Sequence, residues 1–273
     1  MRVIVSFVLV YLFSFASLGA ESEWQDIGLD AKIRLISSNE IKAENSVMVG
    51  IEMKMSQEIN TYWRIPGEVG IPMQVDISNS SGIISKQIFW PYPLREEKLG
   101  YLDFVHYGDV VFPIKVKLEN GAAEKGAIVR ADIFLGICAN ICIPVRQSLE
   151  LGLDFKKADR AQRSKLNLAM ALVPNIWDKQ ESPIEEILLD IKNARLDVKI
   201  DRLMIDSSSI IIDYDDPLIL FSLPQYSPNG SIVSFNLLDK IMVNELKGKQ
   251  ARVTFQTSDG AYEIFLEPSL KNE

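Results

Sequence analysis

Two runs of alternating residues, joined by the only two cysteines of the chain, set the first constraint on its fold. Between Ile128 and Ile137, Val129, Ala131, Ile133, Leu135 and Ile137 share one parity, while Arg130, Asp132 and Gly136 take the other. That is the period of a half-buried strand. Past Cys138-Ala-Asn-Ile-Cys142, Leu149, Leu151 and Leu153 again share a parity, with Ser148, Glu150 and Gly152 opposite. Counted from either side, both cysteines fall with the polar positions, outside the core, unless a bulge near Gly136 or a kink at Pro144 resets the count. Three intervening residues suit a tight hairpin, which can bring two Cα atoms within disulfide range.

The pair has two principal uses. One is a structural staple, the commoner role of cysteine in exported proteins. A five-residue ring, however, removes only about 2 kcal/mol of unfolded-chain entropy. The other is a redox-active dithiol open to a partner. A closed zinc site would lack ligands, because His106 is the only histidine. Monovalent copper held by two thiolates is a third use.

The surrounding sequence has the texture of a β-sandwich. Val47, Val49, Ile51, Met53 and Met55 alternate with polar or small residues, and prolines 66, 72, 91, 93 and 113 punctuate the pattern with glycines 67, 70, 82, 100 and 108. No βαβ rhythm is present. Residues 156–173 are alanine-rich, charged and free of glycine, stopping at Pro174, which predicts a helix bridging two domains. Ser182-Pro-Ile-Glu185 has capping-box spacing and predicts a short helix through Ile191. Alternation then returns at 196–200, 210–212, 232–235 and 252–256, and Asp259-Gly260 marks a hairpin before Tyr262. The expected fold is mainly β: two immunoglobulin-like β-sandwich domains joined by a helical linker. The expected boundaries are 1–20 for a signal peptide, 21–155 and 181–273 for the sandwiches, and 156–180 for the linker.

Cys138-Ala-Asn-Ile-Cys142-Ile-Pro144 resembles the cysteine motif of the N-terminal periplasmic domain of the DsbD/ScsB thiol:disulfide reductases. The resemblance continues upstream, in the family's order, through Thr61-Tyr-Trp-Arg-Ile-Pro-Gly67, Gly70-Ile-Pro72, Trp90-Pro-Tyr-Pro93, Tyr107-Gly108 and Phe112-Pro113. It spans about residues 28–153. Ile65 departs from the polar residue expected there, and the cysteine spacing is closer to the ScsB branch. The resemblance implies thiol–disulfide exchange through Cys138 and Cys142, with Cys142 bonding the partner and Cys138 resolving. It also implies electrons received from a membrane thiol:disulfide transporter and passed to periplasmic thiol-disulfide proteins. In that family an aromatic-bearing loop caps the cysteines, which makes Tyr101 and Phe104 the expected shield here. No cofactor and no metal is expected at the pair.

Other candidates weigh toward structure. Tyr62 and Trp63, beside Pro66-Gly67, could line the cysteine site, although core packing or loop anchoring is the simpler expectation; His106 could tune a thiol, although a structural role is expected. Asp213, Asp215 and Asp216 could hold calcium, although an acidic turn before Pro217 is the simpler expectation. Met1 to Ala20 has one charge, an apolar run from Val3 to Phe15, and small residues at Ser17-Leu-Gly-Ala20, the pattern of a cleavable secretory signal. Losing Arg2 would shift the formal charge from −8 to −9, which argues against nucleic acid and anionic lipid as partners. After cleavage a stand-alone, soluble periplasmic protein is expected, with no membrane span, membrane transporter segment or thioredoxin-like domain of its own. The rival function is a non-catalytic immunoglobulin-like binding or assembly module with a hairpin staple.

Overall fold

A computed structural model describes residues 20–271 except positions 99 and 217, so the expected signal peptide lies almost wholly outside the described residues. The first part of the chain holds β1 Gln25–Gly28, β2 Ala31–Lys42, β3 Ser46–Lys54, β4 Asn60–Gly67, β5 Gln74–Asp76 and β6 Ile83–Ile88. These are followed by β7 Leu94–Lys98, β8 Tyr101–Tyr107, β9 Val110–Leu118, the short helix α1 Ala122–Lys125, β10 Ala127–Cys138 and β11 Cys142–Leu153. They make two antiparallel sheets, one ordered β1-β2-β3-β9-β6 and the other β11-β10-β4-β8-β7, with β5 added against β10.

Alternation builds the core between them. Val47, Val49, Ile51 and Met53 of β3 are fully buried, and Val129, Ala131, Ile133, Leu135 and Ile137 of β10 meet them from the facing sheet. Each strand thus sends every second side chain inward, the pattern of a sandwich.

The expected linker helix forms as α2 Arg160–Ala171, capped by Asp159, whose carboxylate accepts from the backbone N–H of Gln162. It does not stand free between domains. Leu166 is buried over Gly50, where a Cβ would lie 2.7 Å from its methyl group, so glycine makes the seat. Lys165 pairs with Glu52 and Arg163 with Glu40, tying the exposed flank of the helix to the first sandwich.

A second sandwich follows. One sheet is ordered 175–176, 260–266, 251–257 and 211–213; the other is ordered 225–226, 232–236, 195–200, 184–190 and 269–270. Leu196, Val198, Val233, Val253 and Phe255 are fully buried between them. The hairpin at Asp259-Gly260 forms, with Thr257 opposite Gly260. The helix expected through Ile191 does not: Ile184–Asp190 is a strand paired with Arg195–Ile200. Ser182 bonds Ile184 instead of capping a helix. Burial of Ile184, Ile187 and Leu189 in this core outweighs the local capping signal. The protein is therefore mainly β, and among the described residues no helix is long and apolar enough to cross a membrane.

Candidate redox-active site

Strands β10 and β11 form one uninterrupted hairpin, paired from Ala127↔Leu153 to Cys138↔Cys142. The cysteines face each other at its tip, bonded, with Cα atoms 4.0 Å apart. Two bonds fix the tip's orientation: Gly136 gives its N–H to the Ile71 carbonyl, and its own carbonyl accepts from the Thr61 hydroxyl. Its backbone therefore points away from β11, and so does that of Pro144 opposite it. Pro144 consequently lies on the free edge of the sheet with no N–H to offer, which blunts that edge against strand addition.

The parity of the cysteines is as the sequence implies: neither enters the main core. The two sulfurs nevertheless meet different surroundings. Cys142 is exposed, whereas Cys138 is only 3% exposed. Cys138 packs with Tyr62 and Val105, and with the half-buried Tyr107, on the outer face of the second sheet. A strand exposes its outer face unless something crosses it, and here the segment after β4 does.

Tyr62 is the covering residue. Its hydroxyl is 2.8 Å from Sγ of Cys138 and 3.3 Å from Sγ of Cys142, and because bonded sulfurs carry no proton, the hydroxyl donates. Two glycines form the slot that holds the ring. A Cβ at Gly136 would lie 3.2 Å from Cε2 of Tyr62, and one at Gly70 would overlap the ring. Residues 67–72 run across as a strap, fixed by Glu68 N–H to the Leu102 carbonyl, Val69 N–H to Asp103 and Gly136 N–H to the Ile71 carbonyl.

The electrostatics are acidic. Burial, followed by the charges of Asp103 and Glu96, pushes the Tyr62 hydroxyl up to about 12, so it stays a donor at neutral pH. Tyr107, donating to Glu96, is likewise pushed to about 12, first by burial and then by that carboxylate. Burial raises Asp103 above the usual carboxylate range. Both cysteines end strands, and among the described residues no helix begins beside them. Nearby carboxylates and the absence of a helix dipole give little general stabilisation to a thiolate, and the hydroxyl of Tyr62 is the local donor.

The expected shield residues lie elsewhere. Neighbours in a strand point to opposite faces. Val105 faces Cys138, so Phe104 faces away, and it packs edge-on against Trp63 with ring centroids 6.0 Å apart. Tyr101 is half exposed beside the turn to β7, paired with Lys98 and four residues from Val105, on the order of 13 Å along the strand. The shield assignment is corrected accordingly: the aromatic at the sulfurs is Tyr62, from β4. Trp63, its neighbour, is fully buried against the second sandwich. His106 is buried edge-on to Phe112, and burial lowers its pKa to about 4. Asp213 is fully buried and paired with Arg64 and Arg252, while Asp215 is exposed. Among the described residues no three His, Cys, Asp or Glu side chains group closely enough to hold a metal.

Comparison with known proteins agrees with this architecture. The family described as "Thiol:disulfide interchange protein DsbD, N-terminal" matches residues 33–153. Among solved structures, the N-terminal periplasmic domain of ScsB from Proteus mirabilis superposes with a TM-score of 0.70 at 21% identity, covering 92% of this chain and 98% of that one. No curated protein matches the chain. The immunoglobulin-like sandwich of β1 to β11, with the paired cysteines at the tip of its long hairpin, thus carries both the fold and the sequence pattern: residues 33–153 match the family of DsbD N-terminal thiol:disulfide interchange domains.

Proposed function

We propose that this chain is an exported, periplasmic thiol–disulfide exchange protein. It relays electrons through Cys138 and Cys142 from a membrane thiol:disulfide transporter to the disulfides of exported proteins, a protein-disulfide reductase activity. The signal at residues 1–20 would deliver it, residues 21–155 would carry the chemistry, and 156–180 would join them to a second domain at 181–273. The observation that carries this reading is the asymmetry of the two sulfurs. Cys142 is exposed, and Cys138 is buried beneath a hydroxyl that donates to it.

That asymmetry orders the steps. A transporter thiolate attacks Sγ of Cys142; the Cys138–Cys142 bond breaks and Cys138 leaves as a thiolate, stabilised by the Tyr62 hydroxyl until it takes a proton. The transporter's second thiol then attacks its own mixed-disulfide sulfur, releasing Cys142 and leaving the transporter oxidised. In the second half, the Cys142 thiolate attacks a substrate disulfide and one substrate sulfur leaves. Cys138 then attacks Cys142, re-forming the intramolecular bond and freeing the substrate's second thiol. Two electrons pass in each half. Because the surroundings do little to favour a thiolate, rate depends on docking, as suits a relay rather than a general oxidoreductase.

The reduction potential of the pair tests this. A value near thioredoxin's ~−270 mV or higher fits a relay, whereas one below ~−300 mV marks a structural bond.

A further inference from the structure

The ladder between β4 and β8 is interrupted beside the disulfide. Asn60, Thr61 and Tyr62 pair with Tyr107, His106 and Val105, and the next pair is Gly67 with Asp103. Four residues, Trp63-Arg64-Ile65-Pro66, therefore stand opposite Phe104 alone and leave the sheet as a wide bulge. The second sandwich is what holds them. Arg64 reaches Asp213 at 3.1 Å, the Thr254 hydroxyl at 2.9 Å and Glu263 at 3.1 Å, and its guanidinium lies 3.9 Å over the Trp63 ring. Trp63 and Ile65 pack in one apolar cluster with Ile211 of that sandwich. Beside the bulge, Arg95 donates to the carbonyls of Ser208 and Ile210, and the Tyr92 hydroxyl donates to that of Ser209.

The two ends of this bulge are the two parts of the disulfide's cover. Tyr62, whose ring lies over Cys138, precedes it. Gly67, where the strap begins, follows it, and Gly70 of the strap contacts both Tyr62 and Pro66. We infer that the second sandwich is a clasp for the redox site: by gripping the 63–66 bulge it holds Tyr62 and the strap over Cys138 and directs attack to Cys142. Arg64, Asp213 and Glu263 are then positioning residues, acting through Tyr62. This assigns the C-terminal sandwich a task at a site it does not touch, and it rests on Cys138–Cys142 being the exchanging pair.

The test uses the full-length chain with Arg64→Lys, which keeps the charge but cannot reach three partners at once, and with the milder Glu263→Gln. The second-order rate of disulfide reduction by dithiothreitol is measured well below each variant's Tm, and the first mixed disulfide with glutathione is mapped by mass spectrometry. The thiolate attacks one sulfur, the other leaves as a thiolate, and a second thiol completes the reduction. A loosened clasp raises the rate at least about fivefold, the factor equivalent to ~1 kcal/mol, and puts adduct on Cys138 as well as Cys142. In a Tyr62→Ala background, where the cover is already gone, the same substitutions change nothing further, a coupling that a general loss of stability would not produce. Should Arg64→Lys not fold, Glu263→Gln carries the comparison. Folded variants with unchanged rate and adduct position, or an effect of equal size without Tyr62, overturn the clasp and leave the relay standing. A wild-type disulfide inert to both thiols, with Tyr62→Ala inert as well, overturns both.

Discussion

The hydroxyl of Tyr62 donates to Sγ of Cys138 at 2.8 Å, across 76 residues of sequence. This contact distinguishes the two sulfurs chemically as well as sterically, because a hydrogen bond to a thiolate is worth more than one to a bonded sulfur.

Tyr62→Phe keeps the ring in its glycine slot and removes only the donor. The leaving Cys138 thiolate then loses a charge-assisted bond worth about 1.5 kcal/mol, so reduction through Cys142 should slow roughly tenfold with little change in Tm. Stopped-flow reduction of the purified disulfide reads this directly, and an unchanged rate removes the hydroxyl from the mechanism.

Gly136→Ala puts a methyl 2.9 Å from Cβ of Ile71 and 3.2 Å from the Tyr62 ring. The strap or the ring must shift, at a cost of about 1–3 kcal/mol. Urea unfolding should show that loss while dithiothreitol reduces the disulfide faster. An unchanged rate would mean that the slot does not hold the cover.

Replacing both cysteines with serine should leave the fold intact and cost about 2 kcal/mol, the entropy of one short ring. The long β10–β11 ladder and its buried face do not depend on the bond at their tip. Loss of cooperative unfolding in the double variant would make the bond a required staple.

How far these features were legible beforehand differs by feature. The alternation in β3, β10 and β11 carries the sandwich, because period and burial are both local properties of a strand. The same parity correctly keeps Cys138 and Cys142 out of the core. It cannot reveal that Cys138 is buried all the same, since its cover comes from Tyr62 and Gly70, far upstream. The shield expected at Phe104 fails on parity, because Val105 takes the face toward the cysteines. Parity could have shown that, given the strand's true limits at Tyr101–Tyr107. The helix expected after Ser182 fails because tertiary burial of Ile184, Ile187 and Leu189 overrides a capping signal. Arg64 and Asp213, 149 residues apart, carry no mutual signal in a single sequence.

His106 gives the fold a pH dependence. Its folded pKa, about 4, is below the ordinary 6.5 because burial disfavours the charged ring. The neutral form is favoured in the native state, so the contribution is complete above the unfolded pKa. It is lost as pH falls from 6.5 toward 4, by about 2 kcal/mol between pH 7 and pH 5. Urea midpoints should fall across that window in the wild type and fall distinctly less in His106→Phe. Equal slopes would show that the ring is protonated without penalty.

The most direct test of the relay is covalent trapping in the exported compartment. In Cys138→Ser, Cys142 can bond a partner but cannot be released from within, so a reducible, higher-mass adduct should accumulate. Cys142→Ser, left with the sulfur beneath Tyr62, should trap much less. Abundant adduct in the first variant and little in the second is the predicted result. No specific adduct in either would contradict the account and leave a two-sandwich binding module with a hairpin staple.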